Sequence, residues 1–164
     1  MCNAAPAGRR LDSACICMQY RAVKLQSLPC YCATLRQLAR AATVLYAEAL
    51  GHGGLPATQY TALQVLERAP ELTTTELAQM LGIDQTTATR TLGLIKKGGF
   101  ATDSIGRDRR ERRWGLTAKG RAELRSLSAR WQAAQAAFEK RVGRAQAVAL
   151  KKAAFEAASR LTSN

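Results

Sequence analysis

Two short helix signals, placed back to back between residues 73 and 99, constrain the fold of this chain most strongly. Thr73-x-x-Glu76 is a capping box that starts a helix, and Gly82 ends it. Asp84 suits the cap of a second helix, which Gly98 closes. The inward apolar positions of the two helices are Leu77, Ala78, Leu81, Ala88, Leu92 and Ile95. Two helices joined by about three residues with a glycine in the turn predict a helix-turn-helix.

The chain changes character after the second short helix. Phe100–Thr102 and Arg112–Leu116 have the composition of two strands, and the polar stretch Asp103–Glu111 between them contains Gly106. Five arginines fall within Arg107–Arg113, which is too many to bury. We therefore expect a hairpin that projects into solvent. It is either a solvated charge run or a wing that follows phosphates or enters a minor groove.

Apolar residues at alternating spacings of three and four predict longer helices on both sides of this region. These helices cover residues 33–50, 56–68, 117–142 and 144–161. Residues 1–27 have no sustained period, so we expect a mobile arm there. The predicted fold class is mainly α with a small β-hairpin wing (α+β). Its predicted parts are a winged helix-turn-helix lobe, residues 55–116, and a helical dimerisation region, residues 28–54 and 117–164.

Length and charge limit the class of protein further. The 164 residues, 47% of them hydrophobic, suffice for a core without disulfides. No run of about 18 apolar residues occurs, which excludes a membrane-spanning helix. A membrane is not among the predicted partners. The net charge of +13 favours a polyanionic partner, nucleic acid first and anionic lipid second. The five cysteines all lie within the first 32 residues, without a secretory signal, which indicates a reduced cytoplasmic protein.

The outward face of the second short helix carries side chains suited to reading DNA. A glutamine can bond adenine, an arginine can bond guanine, and a threonine methyl can pack on thymine. A solvated polar face is the alternative, but such faces favour Glu and Lys, whereas three threonines lower the helix propensity. The residues of this face are Gln85, Thr86, Thr87, Thr89 and Arg90.

The run LTTTELAQMLGIDQTTATRTLGLIKKGGF, followed by DRRERRWGLTAKG, resembles the winged helix of MarR-type bacterial transcriptional regulators. The wing matches the family pattern Asp-x-Arg…Leu-Thr-x-x-Gly through Asp108, Arg110, Leu116, Thr117 and Gly120. The similarity extends over about residues 33–142. It implies a homodimeric regulator, most simply a repressor, with one recognition helix in each of two major grooves of a pseudo-palindrome. It also implies that Arg110 enters the flanking minor groove.

These arguments define two predicted sets of residues. The predicted DNA-binding residues are Thr74, Thr75, Gln85, Thr86, Thr87, Thr89, Arg90, Lys97, Arg107, Asp108, Arg109 and Arg110. The apolar stripes of the long helices exceed what a small winged lobe can cover, so a second subunit is the natural cover. The predicted dimer-interface residues are Leu35, Leu38, Leu45, Trp131, Phe138, Leu150, Phe155 and Leu161.

The N-terminal cysteines depart from the family pattern. Cys15 and Cys17 form one Cys-x-Cys pair, and Cys30 and Cys32 form another. A helix N-terminus lowers a thiol pKa, which favours both oxidation and binding of soft metals. Two alternatives stay open. Either Cys30 and Cys32 form part of a thiol sensor for arsenite, copper or peroxide, with Cys15 and Cys17 as further candidates, or one cysteine packs at the dimer interface and the other is incidental. His52, in a glycine-rich loop, is expected to be merely exposed.

The sequence also bears on an effector, on cofactors and on other classes of function. No cofactor is required, but the resemblance implies a small aromatic effector, and Tyr46, Tyr60 and Trp131 either line its cleft or pack in the core. A non-specific architectural DNA-binding protein would also suit the charge. An enzyme is set aside because no His-Asp constellation, phosphate-binding glycine loop or carboxylate pair accompanies the Ser and Cys residues.

Overall fold

The structure is a computed structural model that describes residues 25–51, 55–106 and 111–163. The predicted arm therefore lies almost wholly outside the described residues. The helices are α1 (Tyr31–Leu50), α2 (Ala57–Arg68), α3 (Thr74–Leu81), α4 (Gln85–Lys97), α5 (Ala118–Val142) and α6 (Arg144–Thr162). The strands are β1 (Leu72–Thr73), β2 (Ala101–Ile105) and β3 (Arg112–Leu116). The predicted fold class, mainly α with a small β element, is confirmed.

Contacts divide the described residues into two units. One unit comprises residues 55–132 and contains the sheet together with α2, α3, α4 and the first part of α5. The other comprises residues 25–51 and 133–163, and its regular secondary structure in the described residues is helical. Residues 118–132, which the sequence analysis assigned to the dimerisation region, thus group with the sheet by their contacts. The dimerisation region itself stays a prediction. In the part of the chain described, no helix is long and apolar enough to cross a membrane.

The sheet has three antiparallel strands in the order β1-β3-β2, where the sequence predicted two. β1 was missed because two residues are too short to show a period; it pairs Leu72 with Trp114. The second strand was predicted to end at Thr102, but it continues to Ile105, which pairs with Arg112. Its polar residues stay in the strand because the ladder to β3 satisfies the backbone.

The core of the sheet-bearing unit is formed by α2, α3, α4 and the strands. Ala88, Leu92 and Ile95 of α4 are completely buried, as the stripe predicted. Full burial of a side chain of the size of Leu or Ile contributes about 1.5–3 kcal/mol. The other fully buried large side chains of this unit are Leu63, Leu66 and Leu77. The outward face of α4 is therefore set by the packing of the opposite face.

The start of α5 lies directly against the sheet. Thr117 caps the helix, since its hydroxyl accepts a hydrogen bond from the Gly120 N–H at 3.0 Å and donates one to the Gly99 carbonyl at 2.7 Å. A Cβ on Gly120 would lie 2.0 Å from the backbone oxygen of Phe100. Only glycine permits this approach, which gives a physical reason for the glycine in the Leu-Thr-x-x-Gly pattern.

The helical unit contains α1, the end of α5 and α6. Among the predicted interface residues in it, Leu45 is buried within the chain, and Leu38, Phe138 and Leu150 are half-buried. Large apolar side chains nevertheless remain uncovered on this unit of the single chain. The most exposed are Tyr31 (91%), Leu161 (83%), Phe155 (74%), Val148 (60%) and Leu35 (55%).

Candidate nucleic-acid interface

Side-chain caps begin both helices of the helix-turn-helix, α3 and α4, as the sequence predicted. The Glu76 carboxylate accepts a hydrogen bond from the Thr73 N–H at 2.7 Å, and the Thr73 hydroxyl accepts one from the Glu76 N–H at 3.2 Å. Asp84 accepts from the N–H of Thr87 at 2.8 Å and from its hydroxyl at 2.6 Å. These bonds hold the pKa of both carboxyl groups, Glu76 and Asp84, below the usual range.

The turn between α3 and α4 contains Gly82 in the left-handed region, with φ of 63°. The Thr75 hydroxyl lies 3.2 Å from the side-chain oxygen of Gln85 and donates to it across this turn. Two predicted DNA-binding residues are thus brought together, and the bond holds the amide of Gln85 at the exposed first turn of α4. A fixed amide loses less conformational entropy on binding than a free one.

Thr74, also predicted to bind DNA, has a partner inside the protein. The indole N–H of buried Trp114 donates to the Thr74 hydroxyl at 3.1 Å, and this bond joins the start of α3 to β3. A buried indole N–H requires such an acceptor. The structure therefore assigns Thr74 a stabilising contact that sequence reasoning did not foresee.

The three threonines of α4 named for base contacts differ in their surroundings. The Thr87 hydroxyl donates to the Asp84 cap, and the Thr89 hydroxyl donates to the Gln85 carbonyl at 2.8 Å. Both side chains are exposed, so their methyl groups and remaining lone pairs still face outward. The hydroxyl of Thr86 has no hydrogen-bond partner among the described residues.

Arg90 and Lys97 share the exposed face of α4 with Thr86. Residues spaced by 4 and 11 positions project from one side of a helix, here opposite the buried stripe. Arg90 and Lys97 are exposed, and neither makes an ion pair within the described part of the chain. Lys97 also lies in the last turn, where a cation interacts favourably with the helix dipole.

An ion-pair cluster joins the end of α4 to the strands. Asp103 of β2 contacts the ammonium of Lys96 and, at 2.5 Å, the guanidinium of Arg112 of β3. The Asp103 side chain is only 4% exposed, and its two cationic partners hold its pKa below the usual range. The cluster therefore fixes the base of the hairpin to the C-terminal turn of α4.

Sequence reasoning missed this cluster because Asp103 was placed in a turn. A signal did exist, since Ala101 and Asp103 are two residues apart and so lie on the same face of a strand. Ala101 is buried on that face. A carboxylate on the same face as a buried alanine needs a partner of opposite charge. Lys96 and Arg112, both near Asp103 in the sequence, were the candidates for that partner.

The rest of the hairpin is only partly described. Arg113 donates to the Glu71 carbonyl at 3.0 Å and contacts the Glu111 carboxylate at 3.3 Å. The predicted tip residues lie outside the described residues, and their roles stay predictions: Arg107, Asp108, Arg109 and Arg110.

Cys30 and Cys32 lie at the N-terminus of α1. Both thiols are free and exposed, and Cys30 occupies the N-cap position with extended backbone angles. No cluster of three or more potential metal ligands is found among the residues that the structure describes. Cys15, Cys17 and His52 lie outside the described residues. The geometry thus exposes two neighbouring thiols to solvent at a helix start.

The three aromatic residues considered for an effector cleft fall into different units. In the sheet-bearing unit Tyr60 is buried against Trp131, with ring centroids 4.6 Å apart, and burial followed by the charge of Glu67 raises its pKa. Tyr60 and Trp131 therefore pack in a core. In the helical unit Tyr46 lines a cavity of about 470 Å³ together with Phe138, Glu139 and Lys151. Burial and, secondarily, Glu139 raise the pKa of Tyr46.

A helix-turn-helix followed by an antiparallel hairpin that is clamped to its second helix defines a winged helix-turn-helix DNA-binding protein. A family model described as MarR family matches residues 53–111. The transcriptional regulator MosR of M. tuberculosis, solved in complex with DNA, is 35% identical; the match covers 78% of this chain and 98% of MosR with a TM-score of 0.65. The chain belongs to the MarR family, and it is a DNA-binding transcriptional regulator and not an enzyme.

More distant solved structures share the fold. The repressor CouR, bound to a 23-mer DNA duplex, is 22% identical over 79% of this chain and 92% of its own, with a TM-score of 0.71. The regulator PcaV of Streptomyces coelicolor, in complex with its natural ligand, is 21% identical over 82% of this chain and 97% of its own, with a TM-score of 0.69. A comparison with curated protein sequences gives no match.

Proposed function

We propose that the protein is a homodimeric repressor that binds a pseudo-palindromic operator through the exposed face of α4 and the wing. The proposal depends on which side chains the exposed face of α4 presents. This face presents hydrogen-bonding side chains and the exposed cations Arg90 and Lys97 opposite a fully buried stripe. Such a helix can enter a major groove, where base edges are distinguishable.

The uncovered apolar side chains of the helical unit support the dimer. Phe155 and Leu161 of α6 and Leu35 of α1 are more than half exposed in the single chain. Apolar patches of this kind are typical of protein interfaces. A two-fold dimer places two copies of α4 about one DNA turn apart, which requires half-sites of matching spacing.

Replacing the base-reading arginine tests the operator function. A duplex selected by the protein from a random pool serves as the operator, and a scrambled duplex serves as the non-specific competitor. We expect Arg90→Ala to reduce discrimination at one base step by about 1–3 kcal/mol, because one bidentate base contact is lost. Arg125→Ala, an exposed arginine of α5, is the matched control.

The outcomes of this experiment separate the two DNA-binding functions. A footprint confined to a short palindrome, with the effect of Arg90→Ala limited to one base step, supports the repressor. Equal weakening on operator and scrambled duplex would contradict the base-reading role of Arg90. Uniform coating of all duplexes would instead identify an architectural DNA-binding protein.

The release of DNA is proposed to involve Cys30 and Cys32. Both thiols are free and exposed at the start of α1, where an oxidant or a soft metal can reach them. Hydrogen peroxide would convert two thiols to one disulfide and be reduced to two molecules of water. Arsenite would be bound by thiolates that replace its hydroxide groups. Either event would alter the covalent or coordination state of the thiols at the start of α1, in the helical unit.

The test compares Cys30→Ser/Cys32→Ser with Cys15→Ser/Cys17→Ser, a control variant that retains Cys30 and Cys32. Release of a labelled operator is followed by fluorescence anisotropy during titration with peroxide, arsenite or copper. We expect the first double variant to lose the response and the second to retain it. Release from the first variant at the concentration that acts on the unchanged protein would exclude this sensor.

A small effector is the second proposal for release. PcaV was solved with its natural ligand, and BpsR of Bordetella bronchiseptica is described as regulated in DNA binding by 6-hydroxynicotinic acid. In the present chain the cavity beside Tyr46 is lined mainly by apolar side chains, together with Glu139 and Lys151. Release of the operator by aromatic acids from the Cys30→Ser/Cys32→Ser variant would favour this alternative.

A further inference from the structure

Gly93 lies in the interior of α4, where glycine is unfavourable. Its backbone is not in the left-handed region, so another residue could adopt it without strain. Apart from proline, glycine is the poorest helix former, because it loses the most backbone entropy. A glycine at this position therefore needs a reason other than its own conformation.

The described part of the protein supplies no such reason. A Cβ built on Gly93 meets no atom within 4 Å. The other glycine inside a described helix, Gly120, would clash with the Phe100 backbone, and Gly98 at the end of α4 would clash with the Phe100 ring at 2.6 Å. Packing thus explains those two glycines but not Gly93.

The position of Gly93 on the helix indicates what approaches it. Gly93 is exposed and lies between Arg90 and Lys97 on the face turned away from the buried stripe. It is three residues from one cation and four from the other, which places all three on one side of the helix. The face is therefore positive at both ends and has no side chain in the middle. An anionic partner can come close to the helix backbone there.

We propose that Gly93 admits the sugar–phosphate backbone at the edge of the major groove and so sets how deeply α4 inserts. The N-terminal residues of a recognition helix reach the bases, and the helix backbone then passes close to the groove wall. Without a Cβ at residue 93, Arg90 and Lys97 can reach the DNA from either side. This inference rests on the proposed operator binding by α4.

Substituting Gly93 should change stability and DNA affinity in opposite directions. Gly93→Ala should raise the unfolding temperature by about 2–4 °C, because alanine favours the helix. The same variant should bind the selected operator about tenfold more weakly, which corresponds to about 1.4 kcal/mol. Gly93→Leu should lose more affinity than Gly93→Ala, since a longer side chain holds the helix further from the groove. Binding to a scrambled duplex should fall less than binding to the operator.

Ser126→Ala is the matched control, because it improves the helix propensity of an exposed position on α5. It should leave operator affinity unchanged, which separates stability from DNA contact. The inference would be overturned if Gly93→Ala bound the operator as tightly as the unchanged protein. It would also be overturned if Gly93→Ala were less stable than the unchanged protein. Failure of the unchanged protein to select any site would instead refute the proposed function.

Discussion

At the scale of single residues, Asp103 links the wing to the second helix of the helix-turn-helix. Its nearly buried carboxylate is shared by Lys96 and Arg112, which come from different elements. Removing one member of such a cluster leaves the others without a partner of opposite charge. We expect Asp103→Asn to lower the free energy of unfolding by about 1–3 kcal/mol in urea denaturation.

A second carboxylate of the same hairpin provides the control for Asp103. Glu111 contacts Arg113 at 3.3 Å, but its side chain is 48% exposed. Solvent screens such a pair, so Glu111→Gln should change the free energy of unfolding by less than about 1 kcal/mol. Equal effects of the two substitutions would show that the Asp103 cluster does not hold the wing.

The residues that the sequence identified correctly act over short distances along the chain. Thr73 bonds Glu76, and Asp84 bonds Thr87, so a pattern of four consecutive residues contains both partners of each bond. The bond between Thr74 and Trp114 joins residues 40 positions apart, which no local pattern predicts. Threonines in a helix can also bond their own backbone, as Thr89 does. The number of threonines on α4 therefore does not by itself indicate base contacts.

At the scale of elements, α3 and α4 depend on ionised caps. Hydrogen bonds lower the pKa of Glu76 and Asp84 in the folded state, so folding favours their charged forms. Their stabilising contribution is fully present above the ordinary pKa near pH 4 and is lost as the pH falls through the lower folded value. We expect the free energy of unfolding to fall below about pH 4 and these caps to add no pH dependence from pH 6 to 8.

Amide substitutions isolate the contribution of the caps. Glu76→Gln and Asp84→Asn keep a hydrogen-bonding side chain but cannot titrate. Urea denaturation between pH 3 and 6 should therefore show a shallower loss of stability in acid for the double variant than for the unchanged protein. Identical acid profiles would mean that the caps do not contribute to this loss.

The elements differed in how well they could be predicted. Helix ends follow local signals such as Gly82, and the apolar stripes of α4 and α5 span several turns. Strand β1, with two residues, has no period, and β2 was shortened because Asp103 reads as a turn residue in isolation. Both strands form because they pair with β3. The sequence of either strand alone does not reveal this distant partner.

At the scale of the whole molecule, most of the net positive charge lies outside the recognition helix and the wing. Residues 84–116 hold 8 basic and 4 acidic residues, whereas residues 117–164 hold 10 basic and 3 acidic ones. A net charge of this sign steers a protein towards DNA and speeds association. It carries no sequence information, so operator choice is expected to depend on the few side chains around Arg90 and on the spacing of two subunits.

The proposed dimer, which would set that spacing, can be tested on α6. Phe155 and Leu161 are exposed by 74% and 83% in the single chain. If they are covered by a second subunit, each contributes about 1.5–3 kcal/mol, and two-fold symmetry counts each twice. We expect Phe155→Glu/Leu161→Glu to shift the mass in light scattering from twice 17.8 kDa to the single-chain value. Its unfolding should also lose the dependence on protein concentration that a dimer shows.

Gln146→Glu adds a negative charge at an exposed position of the same helix and should leave the mass unchanged. The monomeric variant should also bind the operator far more weakly than the unchanged protein, since one recognition helix then contacts one half-site. Loss of the dimer with undiminished operator affinity would separate the two properties and contradict the symmetric model. A single-chain mass for the unchanged protein would exclude the dimer itself, and the exposed apolar side chains of α6 would then need a different partner.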